Sequence, residues 1–214
     1  MAGTNQFIDS NKQKVIQIAD YGAPYVGNFL ALLQRLRNNL EDIGLKQILI
    51  LPHRANKKAW FKEFVANNMP IYLLDTNLSL PNISKQIADI FMKEKPAIVH
   101  THFTRFDVPS YLACDIATLK GLKQRPRIVW HVHSNFFVKN TLIRKIKDKL
   151  KWSYMGKNVY VICDSEELEE NIKRKNFSGK SSVVINGIDI IRAQKTNKSN
   201  YFLRKSLGIP ENNL

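Results

Sequence analysis

Residues 96–103 read Pro-Ala-Ile-Val-His-Thr-His-Phe, and residues 126–134 read Pro-Arg-Ile-Val-Trp-His-Val-His-Ser. Each stretch enters through a proline, runs through β-branched residues and leaves on His-x-His. A short apolar run bounded by a turn signal is the pattern of a strand buried on both faces, as in a parallel sheet. Side chains alternate along a strand, so the two histidines of each pair point the same way.

Working outward, the same pattern recurs. Strands are expected at Lys14–Ala19, Gln47–Leu51, Ile71–Leu74, Ala97–His100, Arg127–Val132, Asn158–Cys163 and Ser182–Ile185. Between them lie helical periodicities. Phe29, Leu32, Leu33, Leu36, Leu40 and Ile43 mark one apolar face, with Gly44 as its C-cap. Trp60, Phe64 and Val65 mark a second helix. Others are expected at 84–93, 109–119, 142–150 and 166–175. Strands alternating with helices give an α/β fold, a doubly wound and mainly parallel Rossmann-like sheet. Ligands of such sheets bind beyond the C-terminal strand ends. Residues 1–13 read as a polar tail, 14–190 as the Rossmann-like domain, and 191–214 as a linker and the stub of a second domain.

Composition narrows the setting. Of 214 residues, 33 are Lys or Arg and 18 Asp or Glu, a net charge of +15 that favours polyanionic partners. The two cysteines, Cys114 and Cys163, lie in apolar settings without a C-x-x-C spacing, as expected of reduced thiols. No apolar run reaches the roughly 20 residues of a membrane span. Residues 1–14 lack the apolar core of a signal peptide. A cytoplasmic protein is expected.

Several segments carry candidate chemistry. His102 and His133, at the strand exits, are candidates for a polar cleft, while His100 and His131 read equally well as structural histidines. His-x-His on a strand also suits zinc, but no further ligand at metal spacing accompanies the pairs. The loop Asp20-Tyr-Gly-Ala-Pro-Tyr-Val-Gly-Asn28 brings glycines and a helix N-terminus together, a setting that favours an anion. Ser165 reads as the N-cap of the helix from Glu166. Asn186-Gly187 marks a sharp turn into the linker. Residues 139–151 form a basic amphipathic helix. Its apolar stripe Leu142, Ile143, Ile146 and Leu150 is expected to pack on the sheet, with its cations turned to lipid phosphate. Tyr25, Phe136 and Phe137 are expected to flank the entrance to the cleft.

In order, these segments resemble the N-terminal, acceptor-side domain of GT-B glycosyltransferases of retaining family 4. His100-Thr-His102 stands where the family reads hhH-x-H. His131-Val-His133-Ser134 stands for Thr-x-His-Asp or Thr-x-His-Gly. Asp164-Ser-Glu166 stands at the Ser-Glu position, Val184-Ile-Asn-Gly-Ile-Asp189 at hhxNGhD, and Arg204-Lys-Ser-Leu-Gly-Ile-Pro210 at R-x-x-L-G-h-P. The resemblance implies a sugar moved from a nucleotide-diphosphate donor to a saccharide or lipid-linked acceptor, with retention and without metal or other cofactor. It places His133 at the transferred sugar as the catalytic residue. It makes Gly22, Gly27, Asn28, His102, Ser134, Asn186 and Gly187 substrate-binding. Here Gly22 and Gly27 are separated, where many members have adjacent glycines. Acceptors of the family are often membrane-associated, so Arg144, Lys145, Lys147, Lys149 and Lys151 are expected to face an anionic membrane at its inner side. The donor-holding Arg/Lys pair and Glu-x7-Glu element belong to a second domain, so the chain alone is expected to be inactive.

Two other classes remain open to the sequence. A metal-dependent hydrolase would use the His-x-His pairs. A basic nucleic-acid-binding module would want lysines interleaved with exposed aromatics on one face; the positive charges here are spread along the chain, so no nucleic-acid partner is expected.

Overall fold

The computed structural model describes residues 13–134 and 142–187, and for residues 142–145 it describes the backbone. Seven strands form one sheet: β1 Gln13–Ala19, β2 Leu45–Pro52, β3 Ile71–Leu74, β4 Ile98–His102, β5 Arg127–Val132, β6 Tyr160–Cys163 and β7 Lys180–Val183. Their order is β3-β2-β1-β4-β5-β6-β7, and every pairing is parallel. The helices are α1 Asn28–Asp42, α2 Ala59–Ala66, α3 Leu80–Glu94, α4 Asp107–Leu119, α5 Leu142–Lys149 and α6 Glu166–Lys173. This is the doubly wound α/β architecture expected from the alternating pattern.

Strand order reverses between β1 and β4, and right-handed crossovers then sort the helices by face. Ile16, Ile18, Ile48, Ile50, Val99, Ile128, Trp130 and Val161 pack against α3, α4 and α6 in the larger core. Ala19, Leu49 and Leu51 pack against α1 and α2 through Leu30, Leu33, Trp60 and Phe64 in the smaller one. Burial of these side chains, roughly 1.5–3 kcal/mol each, is the main force holding the layers together. The α1 face also carries the buried amides Gln17 and Gln47. Gln47 Nε2 donates to the Leu33 carbonyl at 3.0 Å, while its Oε1 is buried without a partner among the described residues.

Local signals act largely as expected. Gly44, with φ +77°, ends α1 in the left-handed region. Ser165 Oγ accepts from the Leu168 amide and caps α6. Several boundaries differ. β4 runs on through His102, because Thr101 and His102 keep pairing with Ile18 and Ala19. β7 starts two residues early, in register with Tyr160. The helix after β5 is α only to Lys149, then a π turn at Leu150–Tyr154 and a 3-10 turn at Met155–Asn158.

The π turn accompanies a reversal of the expected orientation. Lys151 turns inward: its Nζ lies 2.6 Å from Asp107 Oδ2 and over the Trp130 and Trp152 rings. Conversely Ile146 and Leu150 stand 60% and 53% exposed instead of packing on the sheet, in line with Tyr154 at 66%. Lys151 therefore faces the core, not a membrane, because Asp107 is fully buried and requires a counter-charge. Among the described residues, no helix is long and apolar enough to cross a membrane.

Candidate active site

Because all strands run parallel, Gly22, His102 and His133 leave β1, β4 and β5 along one edge. The pairing register brings His102 opposite His131 and Ala19 opposite His102. His100, His102 and His131 therefore share the α1 face of the sheet, with Gln17. The two pairs, thirty residues apart in sequence, become one cluster. His131 and His133 rings stack at 4.0 Å, and His100 and His102 lie 4.2 Å apart.

Hydrogen bonds run through this cluster in one line. Gln17 Oε1 lies 2.8 Å from His102 Nε2, His102 Nδ1 lies 3.0 Å from His133 Nε2, and His133 Nδ1 lies 3.0 Å from Asp164 Oδ2. His131 Nε2 meets the other Asp164 oxygen at 2.7 Å. Asn186 Nδ2 donates to Asp164 Oδ2. Asp164, just beyond β6, is thus the hub at which β5, β6 and the residues after β7 converge.

Electrostatics fix the proton positions. Burial holds His100 down to about 3 and His133 down to about 4, in each case with the His131 charge as the next cause. His102 is pushed well below its ordinary value by burial and then by its histidine neighbours. Burial also lowers His131, against the opposing pull of its Asp164 bond. All four imidazoles are therefore neutral at pH 7. If the Gln17 oxygen accepts from His102 Nε2, His133 has to donate from both nitrogens, which makes it a buried cation. Turning the Gln17 amide by 180° removes the conflict. Gln17 then donates to His102, His102 to His133, and His133 Nδ1–H to Asp164. Every bond is satisfied with neutral rings.

The first loop closes the rim from the other side. Phe29 packs edge-on to His102 at 4.9 Å, and Phe103 lies 4.7 Å from the His133 ring. Gly27 donates its amide to Tyr21 Oη at 2.9 Å, and a Cβ there would sit 2.5 Å from that oxygen. A side chain there would have to push the Tyr21 hydroxyl aside. Asn28 Nδ2 donates to the Gly187 carbonyl at 2.6 Å, which ties the start of α1 to the segment after β7.

The structure thus gathers His102, His133, Gly27, Asn28, Asn186 and Gly187. Ser134 sits exposed beside them. Gly22 lies further along the edge, against Arg54. His102 is 3% exposed rather than open to a cleft, because Phe29 covers it. Tyr25 is 64% exposed in the first loop. Phe136, Phe137, the side chains of Arg144 and Lys145, most of the tail at 1–13 and the linker at 191–214 lie outside the described residues. Sequence reasoning missed Asp164 as a site residue, although Cys-Asp-Ser-Glu at a strand end was its signal. Two groups have ligand atoms within 4.8 Å of one another, His100/His102/His131 and His131/His133/Asp164. The second is already joined by the hydrogen bonds above.

Comparison with known proteins follows the same lines. The family model for Glycosyltransferase Family 4 matches residues 25–192. A glycosyltransferase from Rickettsia africae ESF-5 superposes with a TM-score of 0.64 at 18% identity, covering 94% of this chain and 51% of that one. The lipopolysaccharide outer core galactosyltransferase WaaB, in its apo form, gives a TM-score of 0.59 at 14% identity, covering 82% and 46%. This chain spans about half the length of those two structures. No curated protein sequence gives a significant match. The solved structures share the fold, while the family match spans most of the sheet and its rim. The chain belongs to glycosyltransferase family 4 and has the Rossmann-like fold of a GT-B N-terminal domain.

Proposed function

We propose that this domain forms the acceptor-side wall of a transferase that moves a sugar from a nucleotide-diphosphate donor to a saccharide or lipid-linked acceptor. The observation that carries this reading is the Gln17–His102–His133–Asp164 line at the C-terminal rim. Asp164 holds His133 in the tautomer with hydrogen on Nδ1. The Nε2 lone pair then accepts from His102, and the 13% exposed edge of His133 at the rim is what meets the transferred sugar. Orientation of such a group by a buried carboxylate is a recurring way to fix a reactive geometry. The reading has the reaction proceed with retention and without a resident metal. Groups that stabilise a transition state converge from both sides of a cleft, so turnover in this reading requires a donor-holding wall opposite this one.

The test is sugar transfer by the full-length polypeptide with a panel of nucleotide sugars and saccharide or lipid-linked acceptors. His133→Ala lowers kcat/KM by about 100-fold or more while the fold is retained. Normal turnover by that variant, or by the isolated domain, overturns the assignment.

We further propose that the domain approaches its acceptor at an anionic membrane surface. Ile146, Leu150 and Tyr154 recur at four-residue spacing and form an exposed apolar strip with Lys149 and Ser153. Lys147 and Lys157 lie in the same exposed segment. An apolar strip rimmed by cations suits the headgroup boundary of an anionic bilayer. Ile146→Glu with Leu150→Glu should reduce sedimentation with vesicles of phosphatidylcholine and phosphatidylglycerol by at least tenfold. Undiminished binding refutes the idea.

A further inference from the structure

A second polar site lies at the far end of the same rim. A cavity of about 420 Å³ at the ends of β2 and β3 is lined by His53, Arg54, Lys57, Asp75, Thr76 and Asn77. Arg54 Nη2 donates to Asp20 Oδ1 at 2.6 Å, and Arg105 Nη1 donates to Asp20 Oδ2 at 3.1 Å. Arg105 Nη2 also donates to the Thr76 carbonyl at 3.0 Å. Two guanidiniums therefore share one carboxylate, and both remain nearly half exposed, at 46% and 45%. Each keeps N–H groups for another anion.

The Arg54 side chain lies along Gly22, where a Cβ would sit 2.7 Å from Nε and the guanidinium would have to shift. Phe103 and Thr104, directly before Arg105, both take left-handed backbone, φ 62° and 53°. Two successive non-glycine residues in that region cost energy, and such strain gathers where a ligand is clamped. The turn places Phe103 on His133 and Arg105 on Asp20 at once, so it links the cavity to the proposed sugar position.

We infer that this cavity binds a phosphate group carried by the acceptor, held by Arg54 and Lys57 of its lining, with Arg105 behind them on the shared Asp20. Guanidinium pairs match phosphate oxygens bidentately, and a lysine adds a movable charge. The inference rests on the transferase reading for the word acceptor.

The experiment is binding of inorganic pyrophosphate and of a hexose 1-phosphate to the full chain, followed by calorimetry at fixed ionic strength. Arg54→Gln with Lys57→Gln should weaken both ligands at least tenfold. Lys57→Gln alone, at an exposed residue with no ion pair among the described residues, should weaken them severalfold without touching the fold. Lys147→Gln with Lys149→Gln removes the same charge elsewhere and should change affinity less than twofold. Equal losses in the two double variants, or none in Lys57→Gln, overturn the site. Competition between the hexose 1-phosphate and vesicles containing phosphatidic acid assigns the phosphate to a lipid carrier; absence of competition assigns it to a soluble one. None of these readouts depends on sugar transfer, so failure of the transferase reading would show separately.

Discussion

Lowering the pH from 7.5 to 5 should destabilise the domain by about 4 kcal/mol through two histidines alone. His133 is held down to about 4 and His100 to about 3, mainly by burial. In an unfolded chain both titrate near 6.5. A group whose folded value is depressed contributes its full stability above the unfolded value. That contribution is lost as pH falls toward the folded one, because the unfolded state takes up protons first. At pH 5 the deficit is about 1.5 pH units for each ring, or about 2 kcal/mol each at 1.36 kcal/mol per unit. His102 and His131 are shifted in the same direction and add to the loss.

The pH window isolates the cause. Carboxylates titrate near 4 in the unfolded state, so those that the fold holds low, such as Glu94, contribute their loss mainly below pH 5. Urea denaturation at pH 7.5, 6.5, 5.5 and 5.0, followed by circular dichroism, should show a falling midpoint at constant m-value. A His100→Asn, His133→Asn variant should be less stable at pH 7.5 yet lose most of that slope. Stability that is flat or rising between pH 7.5 and 5 refutes the neutral-relay assignment.

Three further outcomes follow from the packing. Lys151→Ala strands the fully buried Asp107 with Thr101 as its remaining side-chain partner and should cost about 3–5 kcal/mol in urea, against under 1 kcal/mol if the ion pair were superficial. Gly179→Ala places a Cβ 2.2 Å from the Gly156 carbonyl oxygen and should cost about 1–3 kcal/mol by thermal melting; an unchanged melting temperature would contradict that contact. Burial raises Cys114 to about 12 and Cys163 to about 11, so neither thiol should react with an aromatic disulfide reagent at pH 8 until urea unfolds the chain.

What was legible in the sequence depended on whether the signal was local. β3 and β5 have the bounds that their apolar runs imply, since Ile71–Leu74 and Arg127–Val132 are each closed by turn or polar residues. β4 was cut short at His100 because a polar residue reads as a strand end. In the sheet, pairing with β1 carries it two residues further. Lys151 was misplaced because a 3.6-residue period holds only until the π turn at Leu150. No composition rule signals that turn. Ile146 and Leu150 fitted an apolar stripe equally well whether it faced the sheet or solvent. Asp164 carried the plainest local explanation, a residue just before a helix cap. Its role appears only when β5, β6 and the segment after β7 are known to be neighbours.

Topology also accounts for why a histidine cluster is tolerated on this sheet. Right-handed connections from β3 onward place α3, α4 and α6 on one face, so the opposite face of β4–β7 has no helix from those crossovers. The covered face is mainly apolar, with Val99, Ile128, Trp130 and Val161 buried, and its hydroxyls Thr101 and Ser181 are tied to Asp107 and Glu169. On the other face Val129, Ile162 and Ser182 stay half-buried, and His100, His102 and His131 fall in step with them by alternation. A His-x-His pair therefore costs less on this face of β4 or β5 than the same pair shifted by one residue, which would drive two imidazoles in among Trp130 and Val161; even here His100 Nε2 and His131 Nδ1 are buried without a partner among the described residues. The reversal of strand order beside β1 thus fixes both where polar chemistry is allowed and which pairs can meet. The Asp164 carboxylate then needs only one strand's displacement to hold His133.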